Sequence, residues 1–269
     1  MAQRLFARLR QVAQIGLDLL FPPLCAGCGR LGELFCPDCA QAVEAVPQPC
    51  CARCGIPLPA PTARCAHCQR HAHDPLALTR TAALHSHPLR EAIHAFKYQA
   101  QPELAPLLAR YLVAVYAQSP WTGLRQPISA VVPVPLHVQR LQERGYNQSA
   151  LLAAAFSRAV GLPMQPAWLE RTRETRQQVG LAPSERHVNV DGAFYAAEEV
   201  AGQRLLLIDD VYTTGSTLRA CATAALAAGA TAVYGLTLAQ PVRRAYPTSG
   251  GKLDMDSASD DRVSWEGEL

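Results

Sequence analysis

Asp209 and Asp210 close an apolar run, Leu205-Leu206-Leu207-Ile208, and a short turn later come Thr213, Thr214, Gly215, Ser216 and Thr217. Four consecutive apolar residues read as a strand of a parallel sheet buried on both faces, and the Thr/Gly/Ser turn then opens an apolar helix. In an open α/β sheet, ligands bind beyond the carboxyl ends of the strands. There a helix N-terminus offers a phosphate unpaired N–H groups and the positive end of its dipole. Thr213 to Thr217 supply backbone and hydroxyl donors for such a phosphate, and Gly215 permits close approach of the backbone. Carboxylates repel phosphate, so Asp209 and Asp210 are expected to face neutral hydroxyls or a divalent cation instead. A ribose 5-phosphate diol with Mg²⁺ meets both demands. The competing reading is a plain strand-turn-helix junction with a capping hydroxyl and a solvated acid pair.

The second chemical signal is cysteine. Nine of the ten cysteines lie between Cys25 and Cys68, and eight of them form Cys-x-x-Cys pairs: Cys25 and Cys28, Cys36 and Cys39, Cys51 and Cys54, Cys65 and Cys68. Eight paired thiolates suffice for two closed tetrahedral Zn²⁺ sites of the structural kind. Sequential pairing puts Cys25, Cys28, Cys36 and Cys39 on one ion and Cys51, Cys54, Cys65 and Cys68 on the other; an interleaved pairing satisfies the same spacing. A redox or disulfide cluster is the alternative, disfavoured in a reducing compartment. Cys50 is a spare beside Cys51. Loss of a ligand such as Cys28 is expected to unfold this module and leave the α/β core largely folded. Six of the eight histidines fall between His67 and His94, and with two coordination spheres already complete they read as surface or interdomain residues.

The elements that must position these groups follow from pattern. Phe6, Leu9, Ala13, Leu17 and Leu20 are spaced as the apolar face of a helix over residues 4–20, which is expected to pack on the zinc module. Pro-rich joints at 47–49 and 57–61 separate the two ribbons. From Thr79 the pattern turns α/β. Arg80 to His85 reads as an edge strand, Pro88 to Tyr98 and Pro102 to Gln118 as helices, Ile128 to Val134 as a strand, and Gln148 to Val160 as a helix. A short strand near Trp168 to Arg171 leads into a long polar stretch, Thr172 to Asp191. Helix Ser216 to Ala228 ends at Gly229, and strand Ala232 to Ala239 follows. Alternating strands and helices indicate a parallel sheet. The expected units are residues 1–21 (helix), 22–76 (double zinc ribbon), 79–243 (α/β domain) and 244–269 (acidic tail).

The run from Leu205 to Thr217 resembles the phosphoribosyl pyrophosphate (PRPP) signature of type I phosphoribosyltransferases. That resemblance implies that the acid pair binds the ribose 2′- and 3′-hydroxyls and the following loop the 5-phosphate. His137, Arg140 and Arg144, in the turn after the strand ending at Val134, are placed for the pyrophosphate. Enzymes of this type keep a flexible catalytic loop where this chain has its polar stretch, which carries Arg173, Arg176, Gln177, Gln178 and Arg186. Such a loop excludes water while the ribosyl centre passes through an oxocarbenium-like state.

A more specific combination covers residues 15–242. It comprises Leu19-Leu20-Phe21-Pro22-Pro23-Leu24-Cys25, the two ribbons, Lys97-Tyr98 and Val132-Pro133-Val134-Pro135. It continues through Arg144-Gly145-Tyr146-Asn147-Gln148, Arg176-Gln177 and the Asp209 to Thr217 signature. Together these look like the ComF family. The resemblance implies a double zinc ribbon joined to a type I phosphoribosyltransferase-like domain, with a role in taking up or using external DNA during natural transformation. The implied partners are PRPP or a related phosphoribosyl ligand with Mg²⁺, single-stranded DNA, and a competence helicase or other DNA-processing protein. Two other readings stay open: a working phosphoribosyltransferase acting on a base or amine, and a PRPP-sensing regulator without turnover.

Charge and composition bound the rest. At 269 residues and a net charge of +3, the chain gives no global argument for nucleic acid. The apolar run Ile15 to Leu24 is interrupted by Gly16, Asp18, Pro22 and Pro23, too short to span a bilayer and unlike a signal peptide, so a cytoplasmic protein is expected. Residues 246–269 hold six acids against Lys252 and Arg262, a net −4 that leaves +7 on the remainder. That tail departs from the family pattern and is expected to be disordered.

Overall fold

The computed structural model describes residues 22–60, 64–71, 73–172 and 192–242. The helix expected over residues 4–20, the loop residues Arg173, Arg176, Gln177 and Arg186, and the acidic tail lie outside them.

Two short helices, α1 (Pro37–Gln41) and α2 (Ala66–Arg70), each follow the third cysteine of a tetrad. The α/β part runs β1 (Leu78–Leu84), α3 (Leu89–Tyr98), α4 (Leu104–Tyr116), β2 (Ala130–Pro133), α5 (Val138–Arg144), α6 (Gln148–Val160), β3 (Leu169–Arg171), β4 (Phe194–Ala196), β5 (Arg204–Val211), α7 (Ser216–Ala227) and β6 (Ala232–Gln240). Strands β1, β6, β5 and β2 form one sheet in that order, with every neighbouring pair parallel. The first and last strands of the chain are therefore neighbours, and β5 sits between β6 and β2, so its carboxyl end opens near the middle of the sheet edge.

Side-chain alternation in β5 divides the core. Leu206 and Ile208 join the layer beneath α4 and α6, with Leu104, Leu108, Leu112, Leu152 and Phe156. Leu205 and Leu207 face the other way, onto Leu218, Cys221, Ala222 and Ala225 of α7. β5 is covered on both faces from Leu205 to Ile208, where it also pairs with β2; that pairing ends at Ile208, and Asp209 follows while still paired with Thr237 of β6.

The short strand expected near Trp168 lies outside the parallel sheet. It pairs antiparallel with Phe194–Ala196, and the two form a separate ribbon. The pairing joins segments on either side of the polar stretch, so the second strand carries too little pattern of its own to be read in isolation.

The two zinc ribbons are attached by different physics. Cys25, Phe35, Cys36 and Cys39 belong to the same buried cluster as Leu89, Ile93 and Leu104, so the first ribbon is part of the main core. A Cβ on Gly27 would sit 2.8 Å from Pro88 at the start of α3, which measures how closely the two surfaces meet. Past α1 the chain runs beside β1, with an antiparallel bridge between Ala45 and Ala83, and Leu84 N–H donates to the Glu44 carbonyl at 2.8 Å. This shared packing argues against the expectation that losing Cys28 would spare the α/β core. The second ribbon keeps a small apolar cluster of its own, Cys51, Cys54 and Cys68 with Ile56 and Leu58. Arginines fasten it: Arg80 on β1 donates to the carbonyl of Ala52 at 3.0 Å, and the carbonyl of Arg53 accepts from Thr79 N–H at 2.7 Å.

Candidate functional site

At the carboxyl end of β5, Asp209 and Asp210 are held by residues from two helices. Ser149, in the first turn of α6, donates its hydroxyl to Asp209 Oδ1 at 2.9 Å, and the Asp210 N–H donates to the same oxygen at 2.9 Å. Lys97, in the last turn of α3, places Nζ 2.9 Å from Asp210 Oδ2, as an ion pair off the hydrogen-bond direction that leaves this buried oxygen without a hydrogen-bond donor. Burial, followed by the adjacent Asp210 charge, pushes Asp209 up to about 7. His85, at the end of β1, is lowered to about 4 by burial and then by the Lys97 charge, so it is neutral near pH 7.

The chain then turns through Tyr212 to Gly215 into α7. Gly215 has φ +76°, a left-handed backbone, and a Cβ there would lie 2.6 Å from the Tyr212 hydroxyl oxygen. Only glycine fits this corner without strain. Thr214 Oγ1 and Ser216 Oγ are 2.7 Å apart, and Ser216 N–H donates to Thr214 Oγ1 at 3.3 Å. The Thr213 to Thr217 segment thus forms a compact turn at a helix N-terminus, beside the two carboxylates.

The Arg144 to Gln148 stretch braces this site from the side. Asn147 caps α6, accepting from Ser149 N–H at 2.9 Å and Ala150 N–H at 3.3 Å, while its amide donates to the Val134 carbonyl at 3.0 Å. Capping by Asn147 is what points Ser149 at Asp209. Tyr146 donates to the Phe96 carbonyl, tying the stretch to α3 just before Lys97. Arg144 donates to Gln148 and lies over the exposed Tyr98 ring, 5.2 Å from its centroid. Arg140 is 3.8 Å from Glu143, and His137 caps α5 through its backbone alone. Neither arginine contacts Asp209 or Asp210, whereas Lys97 does.

Each cysteine tetrad is assembled in sequence order. The sulfurs of Cys25, Cys28, Cys36 and Cys39 lie within 4.8 Å of one another, as do those of Cys51, Cys54, Cys65 and Cys68. Burial raises the Cys25 thiol, but N–H groups of Cys36, Cys28 and Gly27 outweigh it and bring the net value down to about 6. Cys51 falls to about 6 in the same way, through N–H groups of Cys54, Cys65 and Arg53. Burial pushes Cys39 and Cys54 upward and Cys68 up to about 12. Four thiols in one space cannot all ionise unaided, and a divalent cation with tetrahedral preference resolves both tetrads, so the donor set fits structural zinc.

Sequence patterns give no sign of Arg219 or of Ser149. Arg219, in the first turn of α7, donates from Nη1 to the Thr214 carbonyl at 2.6 Å and from Nε to Asp74 Oδ2 at 2.9 Å. Its Nη2 lies 3.3 Å from His67 Nε2 and donates to the Tyr212 hydroxyl at 3.4 Å. Burial, then the Arg219 charge, holds His67 below its ordinary value, so the neutral ring can accept.

With this geometry in view, similarity to known proteins becomes informative. The double zinc ribbon domain family matches residues 16–70. DNA utilization protein YhgH of Escherichia coli (strain K12) is 33% identical over 222 residues, covering 80% of this chain and 96% of that protein. Competence protein F of Haemophilus influenzae is 32% identical over 189 residues, covering 68% and 80%. The chain belongs to the ComF family. A more distant ComF relative, competence protein ComFC of Bacillus subtilis, is 26% identical over 212 residues, covering 77% of this chain and 84% of that protein. Among solved structures, glutamine PRPP amidotransferase of B. subtilis matches 56% of this chain and 28% of its own, at 23% identity and a TM-score of 0.33. At that score the likeness decides nothing. This ComF chain couples a double zinc ribbon to an α/β domain with a parallel sheet, and no described helix is long and apolar enough to cross a membrane.

Proposed function

We propose that this chain binds PRPP, or a related ribosyl ligand carrying a 5-phosphate, with Mg²⁺ at the carboxyl end of β5, and that it serves DNA uptake or utilisation in the cytoplasm. The observation that carries the ligand reading is the acid pair, fixed by Ser149 and Lys97 directly before a glycine-cornered turn at the N-terminus of α7. Thr213, Thr214, Gly215, Ser216 and Thr217 hold the 5-phosphate through N–H and hydroxyl groups. Asp209 and Asp210 take the diol. The Asp210 Oδ2 that has an ion pair but no hydrogen bond is matched to a ribose hydroxyl donor. Asp209, pushed upward by burial and then by its neighbour, gains from any cation brought to the pair, so the residues present fit Mg²⁺. Bound Mg²⁺ supplies positive charge against the diphosphate oxygens. Lys97 adds a second cation, and Arg140 and Arg144, on the segment that follows β2, are the candidates for the pyrophosphate.

The role in DNA handling rests on what the relatives are named for: DNA utilization in E. coli and competence in H. influenzae and B. subtilis. One surface supports a direct contact with single-stranded DNA. Tyr98 is exposed, with Arg144 over its ring and His94 5.1 Å away, an aromatic and cationic combination suited to stacked bases and phosphates.

Isothermal titration of PRPP with Mg²⁺ into the wild-type chain and into the Asp209→Asn, Asp210→Asn double variant tests the ligand reading. Binding by the wild type alone supports it, and equal binding by both removes the acid pair from the site. Pyrophosphate release from PRPP across a panel of bases and amines decides between turnover and sensing. For DNA, affinity should fall by about 0.7 log unit per log unit of salt for each phosphate neutralised. A salt-independent affinity would reject direct contact and favour a DNA-processing protein such as a helicase as the partner.

A further inference from the structure

Arg219 touches three parts of the molecule at once. From α7 it reaches the carbonyl of Thr214 in the phosphate loop, the carboxylate of Asp74 in the segment that leaves the second ribbon, and His67 beside Cys68. Its side chain is 15% exposed and that of Asp74 5%, so these contacts are not surface pairs that water would screen away.

Each contact is itself anchored. Asp74 has its second oxygen occupied, since Oδ1 accepts from Leu76 N–H at 3.0 Å. Arg53, between Cys51 and Cys54, donates to the carbonyls of Asp74 at 2.7 Å, His71 at 2.9 Å and Leu76 at 3.3 Å. A continuous polar path therefore runs from the second cysteine tetrad through Arg53 and Asp74 to Arg219, and from Arg219 to the loop. What it does there follows from the peptide unit. A planar trans peptide points its N–H opposite to its C=O, so an Arg219 that draws the Thr214 carbonyl toward the ribbon turns the Gly215 N–H the other way. The Gly215 corner leaves little slack, with Tyr212 packed beneath it and also held by Arg219.

The geometry points to Arg219 as a positioning residue through which the second zinc ribbon sets the phosphate-binding loop, so that zinc held by Cys51, Cys54, Cys65 and Cys68 strengthens binding of the 5-phosphate ligand. This rests on the reading of the loop given under the proposed function. Without zinc the knuckle carrying Arg53 and His67 loses its frame, Asp74 loses its anchor, and Arg219 is free to release the Thr214 carbonyl. Linkage makes the effect reciprocal: whatever factor zinc adds to ligand affinity, the ligand adds to zinc affinity.

The test uses the full chain loaded with zinc. PRPP with Mg²⁺ is titrated into wild type, Arg219→Gln and Asp74→Asn, and zinc loss to a zinc-selective chromogenic chelator is followed with and without PRPP. In the wild type PRPP should hold zinc several-fold more firmly. Arg219→Gln should bind PRPP about tenfold more weakly and lose that protection, while still carrying two zinc ions before chelation. Arg219→Lys should not restore the wild-type behaviour, because an ammonium cannot replace the fork that grips Asp74 and Thr214 together. Asp74→Asn keeps the arginine but removes the charge that orients it, and gives a second variant should Arg219→Gln fold poorly; it too should weaken both effects. Wild-type affinity in both Arg219→Gln and Asp74→Asn, or protection of zinc that survives in them, overturns the positioning role while leaving the ligand assignment intact. A wild-type chain that does not bind PRPP overturns the ligand assignment, and the coupling falls with it.

Discussion

Lys97 Nζ and Asp210 Oδ2 stand 2.9 Å apart, with side chains 19% and 6% exposed, joining the last turn of α3 to the carboxyl end of β5. The pair anchors one wall of the cleft to its floor. Removing one member of a buried pair leaves the other charged and uncompensated, which costs more than the pair itself contributes. Lys97→Met should therefore destabilise the unliganded chain by about 3 kcal/mol, and adding Asp210→Asn should recover most of that. Denaturant unfolding of the two variants measures it; a double variant no more stable than the single one would contradict the pairing.

His85 and Asp209 contribute opposing terms to the pH dependence of stability. The His85 value in the folded chain is about 4 against about 6.5 unfolded, because burial and then Lys97 oppose its charging. Between those values the unfolded chain binds the extra proton at this residue, so its contribution to stability rises with pH across the window by at most about 1.4 kcal/mol per pH unit, whereas Asp209, raised to about 7, holds its proton in the folded chain there and contributes a slope of the opposite sign. His85→Gln should remove the rising term, so that stability gains less, or falls, as pH increases from about 4 to about 6.5. An unchanged slope between pH 4 and 6.5 would place the buried titration elsewhere.

Gly215→Ala tests the corner. The side chain would enter a left-handed backbone and meet the Tyr212 ring at 2.6–2.7 Å, so the turn must open. A loss of about 1–3 kcal/mol is expected, together with loss of the melting-temperature rise expected of the wild type with PRPP and Mg²⁺. At ~100 times the dissociation constant that rise reflects about 2.7 kcal/mol. A retained shift would mean that the phosphate is held elsewhere.

The two ribbons should respond differently to loss of a ligand. Elemental analysis should give two zinc ions per chain. Cys36→Ser, within the main core, should lower the stability of the whole α/β domain in one cooperative transition. Cys65→Ser, in the satellite cluster, should loosen the second ribbon and leave the sheet folded. Hydrogen exchange in β5 and β6 separates these outcomes, and equal exchange in both variants would refute the distinction.

How far the sequence could be read depended on the range of the interactions. Leu205 to Ile208, Gly215 and the capped helix from Gln148 to Val160 announce themselves through their neighbours, and the observed α6 has those same bounds. The cysteine pairs declare a metal but not their partners, which only the fold brings together. Arg219 reads as an ordinary residue of a helix, since Asp74 is 145 positions away and nothing in either segment marks the other. Ser149 was hidden for a related reason: its role exists only because Asn147 caps α6 and aims it. The first ribbon looked separable because zinc spacing dominates its pattern, while Phe35 and the cysteine sulfurs give no sign of the helix surface they meet.

The strand of chain after α1 has a further meaning. β1 is the outermost member of the sheet, and Ala45 with Glu44 occupies the backbone groups at its Leu84 end that would otherwise be left open, while Arg53 takes up Thr79 N–H at the other end. An uncovered row of that kind is a template for another chain. Metal depletion of the first ribbon would thus do more than weaken a fold: by letting the Glu44 to Ala45 segment peel away, it would hand each molecule an adhesive margin and turn a shortage of zinc into a problem of solubility.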